Sequence, residues 1–180
     1  MEQLISFREK QIIKVITGIR RCGKSTLFDL YCEYLRSHGI QDNQIIRINL
    51  EDPDYHDIQD YMQLYGLVKE QLNSDKMNYI FIDEVQTVPN FQKAVDGLFI
   101  KPNCDVYITG SNAYMLSGEL ATLLAGRYVE IKMLPFSFKE YIAALEDETD
   151  LQMKYQRYIQ NGSFPYILQL SRRQDINAYL

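Results

Sequence analysis

The spacing of apolar positions changes several times along the chain, and each change marks a boundary between predicted elements. Short runs rich in β-branched and apolar residues predict buried strands over about 12–17, 44–50, 79–82, 105–109 and 128–131. Apolar residues at helical spacing predict helices over about 24–37, 58–72, 91–99 and 114–124. Because strands that alternate with helices form βαβ units, the pattern predicts an α/β fold. We expect a three-layer αβα sandwich around a five-stranded, mainly parallel sheet.

The pattern changes after Pro135. Ser137 and Glu140 have the spacing of a capping box, in which each side chain caps the backbone of the other residue at the start of a helix. A run of acidic residues, 146–150, predicts a solvated loop. A further helix is predicted over about 151–161, and these elements together indicate a small helical lid after the sheet.

The last residues, 174–180, begin a helical pattern that stops on an apolar residue without a termination signal. Such an end is typical of a piece of a longer parent protein. We therefore expect two parts, a core over 1–134 and a helical lid with the start of a C-terminal region over 135–180.

The connection between the first strand and the first helix has the spacing G-x-x-x-x-G-K-S, which is typical of a phosphate-binding loop. Glycine at Gly18 and Gly23 permits a turn that aims backbone N–H groups at an anion, beside the positive end of the helix. Lys24 would bring a full charge to the β- and γ-phosphates, and the Ser25 hydroxyl would bind Mg²⁺. A glycine-rich turn without function is the alternative, and the flanking strand and helix argue against it. The predicted nucleotide-binding residues are Gly18, Ile19, Arg20, Arg21, Cys22, Gly23, Lys24, Ser25 and Thr26.

Two carboxylates, Asp83 and Glu84, follow the most apolar strand. Because strands of a parallel sheet present their carboxyl ends at one edge, we expect this pair to lie close to the loop. Asp83 would hold Mg²⁺ together with Ser25, directly or through water. Glu84 would orient and deprotonate the water that attacks the γ-phosphate. Adjacent Asp and Glu are also common on surfaces, so this prediction depends on the strand and the loop.

Three further residues are candidates for the reaction. Ser111 and Asn112 end the next strand, where a polar side chain would sense the γ-phosphate; both residue types also favour turns and helix caps. Arg127 would stabilise the transition state, from the same chain or from a neighbouring subunit, or is an ordinary surface arginine. Arg20 and Arg21 lie inside the loop and could touch the phosphates, although most side chains at those positions project away from them.

Composition restricts the function classes. A net charge of −5 argues against a chain that coats nucleic acid by bulk electrostatics. No apolar run reaches the length of a membrane span, and the N-terminus has no secretion signal, so we expect no membrane partner. Three unevenly placed cysteines favour a reducing cytoplasm, and neither histidine has the spacing of a zinc site.

The order of these motifs resembles one group of prokaryotic AAA-type ATPases, a branch of the P-loop NTPases. The last matching element departs from that family, because Ser163 follows a single glycine where the family has Gly-Gly-Phe-Pro. The motifs that carry the resemblance are Gly18-x4-Gly23-Lys24-Ser25, Ile80 to Glu84, Ile108 to Asn112, Gly126 to Ile131, Leu134 to Tyr141 and Asn161 to Pro165.

The resemblance implies more than the motifs do. It implies ATP as the nucleotide, a homo-oligomer, and a C-terminal region of winged-helix and nuclease-like character, through which DNA would be a partner. The family's sensing residue falls on Ser111 or Asn112, and Arg127 falls on its Gly-Arg position, where an inter-subunit arginine finger is plausible.

We therefore expect Mg²⁺-dependent ATP binding and hydrolysis that drives a conformational change of an appended C-terminal domain. A slow ATP-gated switch or scaffold would carry the same motifs and stays open as an alternative. A P-loop small-molecule kinase fits less well, because such enzymes need an arginine-rich lid and the region after Pro135 is aromatic and acidic.

Overall fold

The structure is a computed structural model that describes residues 1–111, 124–145, 150–170 and 173–179. The strands are β1 (Ile13–Gly18), β2 (Ile45–Asn49), β3 (Asn78–Asp83), β4 (Cys104–Ser111) and β5 (Tyr128–Met133). The helices are α1 (Glu2–Ser6), α2 (Lys24–Ser37), α3 (Tyr61–Gln71), α4 (Phe91–Phe99), α5 (Phe138–Ala143), α6 (Leu151–Asn161) and α7 (Arg173–Tyr179). Short 3-10 turns lie at Asp42–Gln44, Pro53–Tyr55, Val85–Thr87 and Pro165–Gln169. The helix predicted over 114–124 lies mostly outside the described residues.

Contacts divide the chain into two compact units. One unit comprises residues 1–18 and 24–132, and the other comprises residues 19–23 and 133–180. The predicted division into domains at 134/135 stays a prediction.

The first unit is built on a five-stranded sheet with the order β2-β3-β4-β1-β5. Strands β2 and β3, β3 and β4, and β4 and β1 pair in parallel. On the other side of β1, the Ile13 amide donates to the Arg127 carbonyl over 2.8 Å, and the Thr17 hydroxyl donates to Glu130 over 2.7 Å. Both contacts advance in the same direction, so β5 also runs parallel to β1. The predicted α/β fold with a mainly parallel sheet is confirmed.

Burial explains why the central strands contain so few polar residues. Every residue of β1 and β3 is buried, as expected for strands that are covered on both faces. One face packs against α3 and α4, through a cluster that includes Val15, Ile82, Val68 and Leu98. On the opposite face, aromatic rings join helix and sheet, and the Phe81 and Tyr107 rings stack at 4.7 Å. The aromatic members of that face are Phe28, Tyr31, Phe81 and Tyr107.

At the amino ends of the strands, the interior contains a polar network. Lys14 is fully buried; it forms an ion pair with Asp105 and donates to the Lys10 carbonyl over 3.0 Å. The other carboxylate oxygen of Asp105 accepts from the Tyr107 hydroxyl at 2.7 Å and from the Glu9 amide at 2.8 Å. Burial lowers the pKa of Lys14, although Asp105 opposes that shift, and burial raises the pKa of Tyr107. The network ties the segment before β1 to the sheet.

In the second unit, the predicted capping box is confirmed. The Ser137 hydroxyl accepts from the Glu140 amide at 3.3 Å, and the Glu140 carboxylate accepts from the Ser137 amide at 2.8 Å. Hydrogen bonds from Ser137 lower the pKa of Glu140. Helix α6 packs on α5 through the Phe138 and Tyr155 rings, 5.1 Å apart, and the Tyr158 hydroxyl donates to the Phe136 carbonyl at 2.8 Å.

Candidate nucleotide site

The carboxyl ends of β1, β3 and β4 lie side by side. Gly18 is in register with Ser111, and Ile82, which precedes Asp83, is in register with Ile108. Gly18, Asp83 and the backbone of Ser111 therefore lie along one edge of the sheet, as the sequence predicts. Asn112 and the side chain of Ser111 lie outside the described part of the chain, so the sensing role of either residue stays a prediction.

The loop between β1 and α2 has a backbone that few sequences can adopt. Arg21 and Gly23 both have positive φ, 68° and 99°. Anion-binding nests alternate right- and left-handed residues, and the positive φ values of Arg21 and Gly23 are compatible with one. A Cβ on Gly23 would also lie 3.3 Å from the Met133 Cε atom, so both conformation and space favour glycine. Ile19, Arg20 and Arg21 are exposed and Cys22 is buried.

Lys24 begins α2 and is buried. Its Nζ atom lies 3.3 Å from Glu84 Oε1 and 3.4 Å from the Gly18 carbonyl oxygen. The structure thus joins the predicted phosphate-binding lysine and the predicted general base in one ion pair. Ser25 and Thr26 follow in the first turn of α2 and are exposed.

Glu84 has an unusual backbone, with φ of 53° and ψ of 48°. A non-glycine residue in this left-handed region stores strain, which is common at functional sites. The Glu84 amide donates to Thr109 Oγ1 at 3.0 Å, and its Oε2 atom accepts from the Gln86 amide group. Gln86 Oε1 is the one buried side-chain oxygen without a hydrogen-bond partner among the residues described. A buried acceptor of this kind is a place for a water molecule.

Asp83 is fully buried, and both of its carboxylate oxygens have donors. Thr109 donates to Oδ1 from β4, and Arg47 Nη2 lies 3.1 Å from Oδ2. Sequence reasoning missed both partners. The available signals were the polar residue near the end of β4 and the one charged position within β2.

Oxygen donors at this edge fit Mg²⁺. Within the described ranges, no group of three or more His, Cys, Asp or Glu side chains is placed to hold a metal. Magnesium commonly takes one or two protein oxygens and completes its shell with water and substrate phosphates. The Asp83 carboxylate and the Ser25 hydroxyl offer oxygens of that kind, and their role as Mg²⁺ ligands stays a prediction.

Arg127 lies beside the amino end of β1, which argues against an action on the phosphates of the same chain. Its carbonyl accepts from Ile13, five positions before Gly18 along β1, which is roughly 16 Å at the rise of a strand. Its guanidinium forms an ion pair with Asp96 and lies 5.9 Å from the Phe99 ring centre. An action in a neighbouring subunit and an ordinary surface arginine both stay predictions.

No helix in the described residues is long and apolar enough to cross a membrane.

Two curated proteins resemble most of this chain. An uncharacterised protein of Haemophilus influenzae is 44% identical over 172 residues, covering 93% of this chain and 43% of that protein. An uncharacterised protein of Methanocaldococcus jannaschii is 32% identical over 170 residues, covering 86% of this chain and 36% of that protein. The chain thus spans less than half the length of these relatives.

Solved structures show the same fold at low identity. The Aeropyrum pernix Orc1 protein in complex with DNA has a TM-score of 0.56 at 13% identity, over 87% of this chain and 48% of that one. A DNA polymerase III gamma subunit-related protein of Thermotoga maritima has 0.53 at 14%, over 88% and 56%. The Saccharomyces cerevisiae Hsp104:casein complex has 0.53 at 14%, over 89% and 30%. These likenesses confirm the P-loop NTPase fold.

A family model described as an AAA domain, AAA_14, matches residues 10–142. The match covers β1 to β5, the phosphate-loop motif and the carboxylates after β3. The chain therefore belongs to the AAA_14 family of AAA domains.

Proposed function

We propose that the chain is a Mg²⁺-dependent ATPase. The observation that carries this proposal is the contact between Lys24 and Glu84, which joins the phosphate-loop lysine to the acid after β3. A lysine and a carboxylate at 3.3 Å, with the carboxylate on left-handed backbone, can serve the two ends of one reaction, phosphate binding and activation of water.

Each residue has a defined task in this proposal. The loop backbone and Lys24 bind the phosphates, and Lys24 leaves Glu84 as it does so. Glu84 then accepts a proton from the attacking water, whose oxygen bonds to the γ-phosphorus. The bond from the γ-phosphorus to the bridging oxygen breaks, and ADP leaves with the electron pair. Magnesium, held by Ser25 and Asp83, would supply neutralisation of the phosphate charge.

The test is steady-state phosphate release and ATP binding in the Glu84→Gln variant. We expect turnover to fall about 100-fold or more, because a general base contributes roughly 10² to 10⁴. ATP affinity should stay within a few-fold or rise, since the variant also releases Lys24 from its ion pair. Lys24→Ala is the contrasting variant and should lose ATP binding. Wild-type turnover in Glu84→Gln would overturn the assignment.

A slow ATP-gated switch is the second candidate, and the same contact favours it. With Lys24 on one Glu84 oxygen and Gln86 on the other, the predicted base is engaged until nucleotide arrives. A switch would bind MgATP tightly and hydrolyse it on a scale of minutes, whereas an enzyme that does mechanical work would turn over repeatedly. Measurement of both quantities on one sample separates the two.

The wider assembly belongs to the same proposal. We propose that hydrolysis moves the helical region after residue 134, and with it a C-terminal portion of the longer protein. The greater length of the two relatives is compatible with such a portion. Arg127 would act in a neighbouring subunit of a homo-oligomer, and DNA would be a partner of the longer protein in the cytoplasm. Support comes from the sequence resemblance, and phosphate release with and without DNA tests it.

A further inference from the structure

Arg47 reaches the nucleotide edge from β2, which the motifs did not include. Ile46 and Ile48 point into the apolar core, so the side chain of Arg47 points to the opposite face, which α2 covers. There its Cζ atom lies 5.2 Å from the centre of the Phe28 ring. The ring and the strand hold the guanidinium in a defined position.

The guanidinium connects two carboxylates of different exposure. Nη2 lies 3.1 Å from Asp83 Oδ2, and Nε lies 3.4 Å from Asp29 Oδ1. The Asp83 side chain is 0% exposed, and the Asp29 side chain is 64% exposed. Arg47 therefore has a buried partner at the site and a second, solvated partner beside it.

The contact with Asp83 has a consequence for any cation at the site. Thr109 already donates to Oδ1, so Oδ2 is the oxygen that a metal or its bound water would use. Arg47 occupies that oxygen. A guanidinium and a divalent cation at one buried carboxylate repel each other, and the repulsion is strong where water is excluded. The two cannot share Oδ2 without a large cost.

We propose that Arg47 is an internal counter-ion that keeps divalent metal off Asp83 until nucleotide arrives. The inference rests on the proposed function, because it assumes that Asp83 serves a metal. The phosphate oxygens of the arriving nucleotide add negative charge and supply further ligands, and both retain the metal. Arg47 then releases Asp83 and keeps its contact with Asp29. Arg47 is a positioning residue that couples the binding of the metal to the binding of the nucleotide.

Binding of Mn²⁺ to the nucleotide-free chain, measured by electron paramagnetic resonance, tests the proposal. We expect Arg47→Gln to bind Mn²⁺ at least about tenfold more tightly than the wild type, which lies within the usual range of coupling between two binding events. Arg36→Gln is the matched control. Arg36 forms an exposed ion pair with Asp42 at 2.7 Å, so this variant should bind Mn²⁺ as the wild type does. Arg47→Lys keeps the charge and should resemble the wild type.

Equal Mn²⁺ affinity in the wild type and Arg47→Gln would overturn the proposal. If Arg47→Gln does not fold, Asp29→Asn decides, because Asp29 is exposed and its loss removes the second partner of Arg47. We then expect the Mg²⁺ concentration for half-maximal ATP binding to rise about fivefold, and ATP binding in EDTA to stay unchanged. No rise in the Mg²⁺ requirement would equally overturn the proposal.

The outcomes separate this proposal from the function on which it rests. If the wild type does not bind MgATP at all, the proposed function fails, whatever Mn²⁺ does. If the wild type binds MgATP but Arg47→Gln gains no Mn²⁺ affinity, only the role of Arg47 fails.

Discussion

At each end of the parallel strands, a buried lysine lies against a carboxylate, and the two pairs differ in what surrounds them. At the amino edge, Lys14 and Asp105 are 0% and 1% exposed, and their remaining hydrogen-bonding atoms contact other groups of the chain. At the carboxyl edge, Lys24 and Glu84 are 4% and 14% exposed, and Glu84 has left-handed backbone. The first network is closed, and the second can exchange partners. We infer that the amino edge stabilises the fold and the carboxyl edge serves the reaction.

The largest expected effect is on stability at the amino edge. Asp105→Asn leaves Lys14 as an uncompensated buried charge, so we expect the free energy of unfolding to fall by about 3–5 kcal/mol. Denaturant unfolding measures it. Asp42→Asn, at an exposed ion pair, is the control and should cost less than about 1 kcal/mol. Similar losses in the two variants would remove the distinction between a closed network and an ordinary surface pair.

The second effect is on the pH dependence of stability, and Tyr31 reports it. Burial raises the pKa of Tyr31 to about 12 from a usual value of 10.0. Above pH 10 the unfolded chain releases this proton and the folded chain keeps it, so the contribution is complete below pH 10 and is lost as pH rises towards 12. We expect Tyr31→Phe to flatten the alkaline loss of stability by about 1.4 kcal/mol per pH unit in that window.

Denaturant unfolding between pH 9 and about 12 measures this slope. Tyr166→Phe, at a tyrosine that is 48% exposed, is the control and should leave the slope as in the wild type. The same slope in all three proteins would mean that Tyr31 does not hold its proton through burial at the amino edge.

The smallest effect is at the carboxyl edge. Thr109→Val removes the hydroxyl that donates to Asp83 and accepts from the Glu84 amide. We expect a loss of about 1–3 kcal/mol in stability, the usual cost of buried polar groups left without a partner. Phosphate release should fall as well, because Asp83 and Glu84 lose a shared support. Thr109→Ser keeps the hydroxyl and should restore both quantities; if it does not, the methyl group and not the hydrogen bonds supports the site.

Local signals in the sequence predicted the elements well. The predicted helix over about 24–37 matches α2, Lys24–Ser37, and Gly39, two residues beyond its end, has a φ of 86°. The strand before Asp83 and Glu84 was likewise predicted to within one residue at its start. These boundaries depend on apolar periodicity and on helix-ending residues, which neighbouring positions determine.

The missed contacts are those that depend on the order of strands in space. Arg47 meets Asp83 because β2 lies next to β3, and Thr109 meets Asp83 because β4 lies on its other side. A single sequence shows that Arg47 alternates with apolar residues, but not which carboxylate it faces. Arg127 illustrates the same limit, because its motif position did not reveal that it precedes β5 and lies beside the amino end of β1.

The closed network at the amino edge also matters for recombinant production of this domain. The family match begins at residue 10, which would be a natural place to start a shortened expression clone. That choice would delete the Leu4 carbonyl, which accepts from the Tyr31 hydroxyl at 3.2 Å. It would also delete Glu9, whose amide donates to Asp105 and whose carboxylate accepts from the Tyr79 hydroxyl. The first nine residues lie outside the matched family region, yet they close the polar interior, and a clone without them should yield poorly soluble protein.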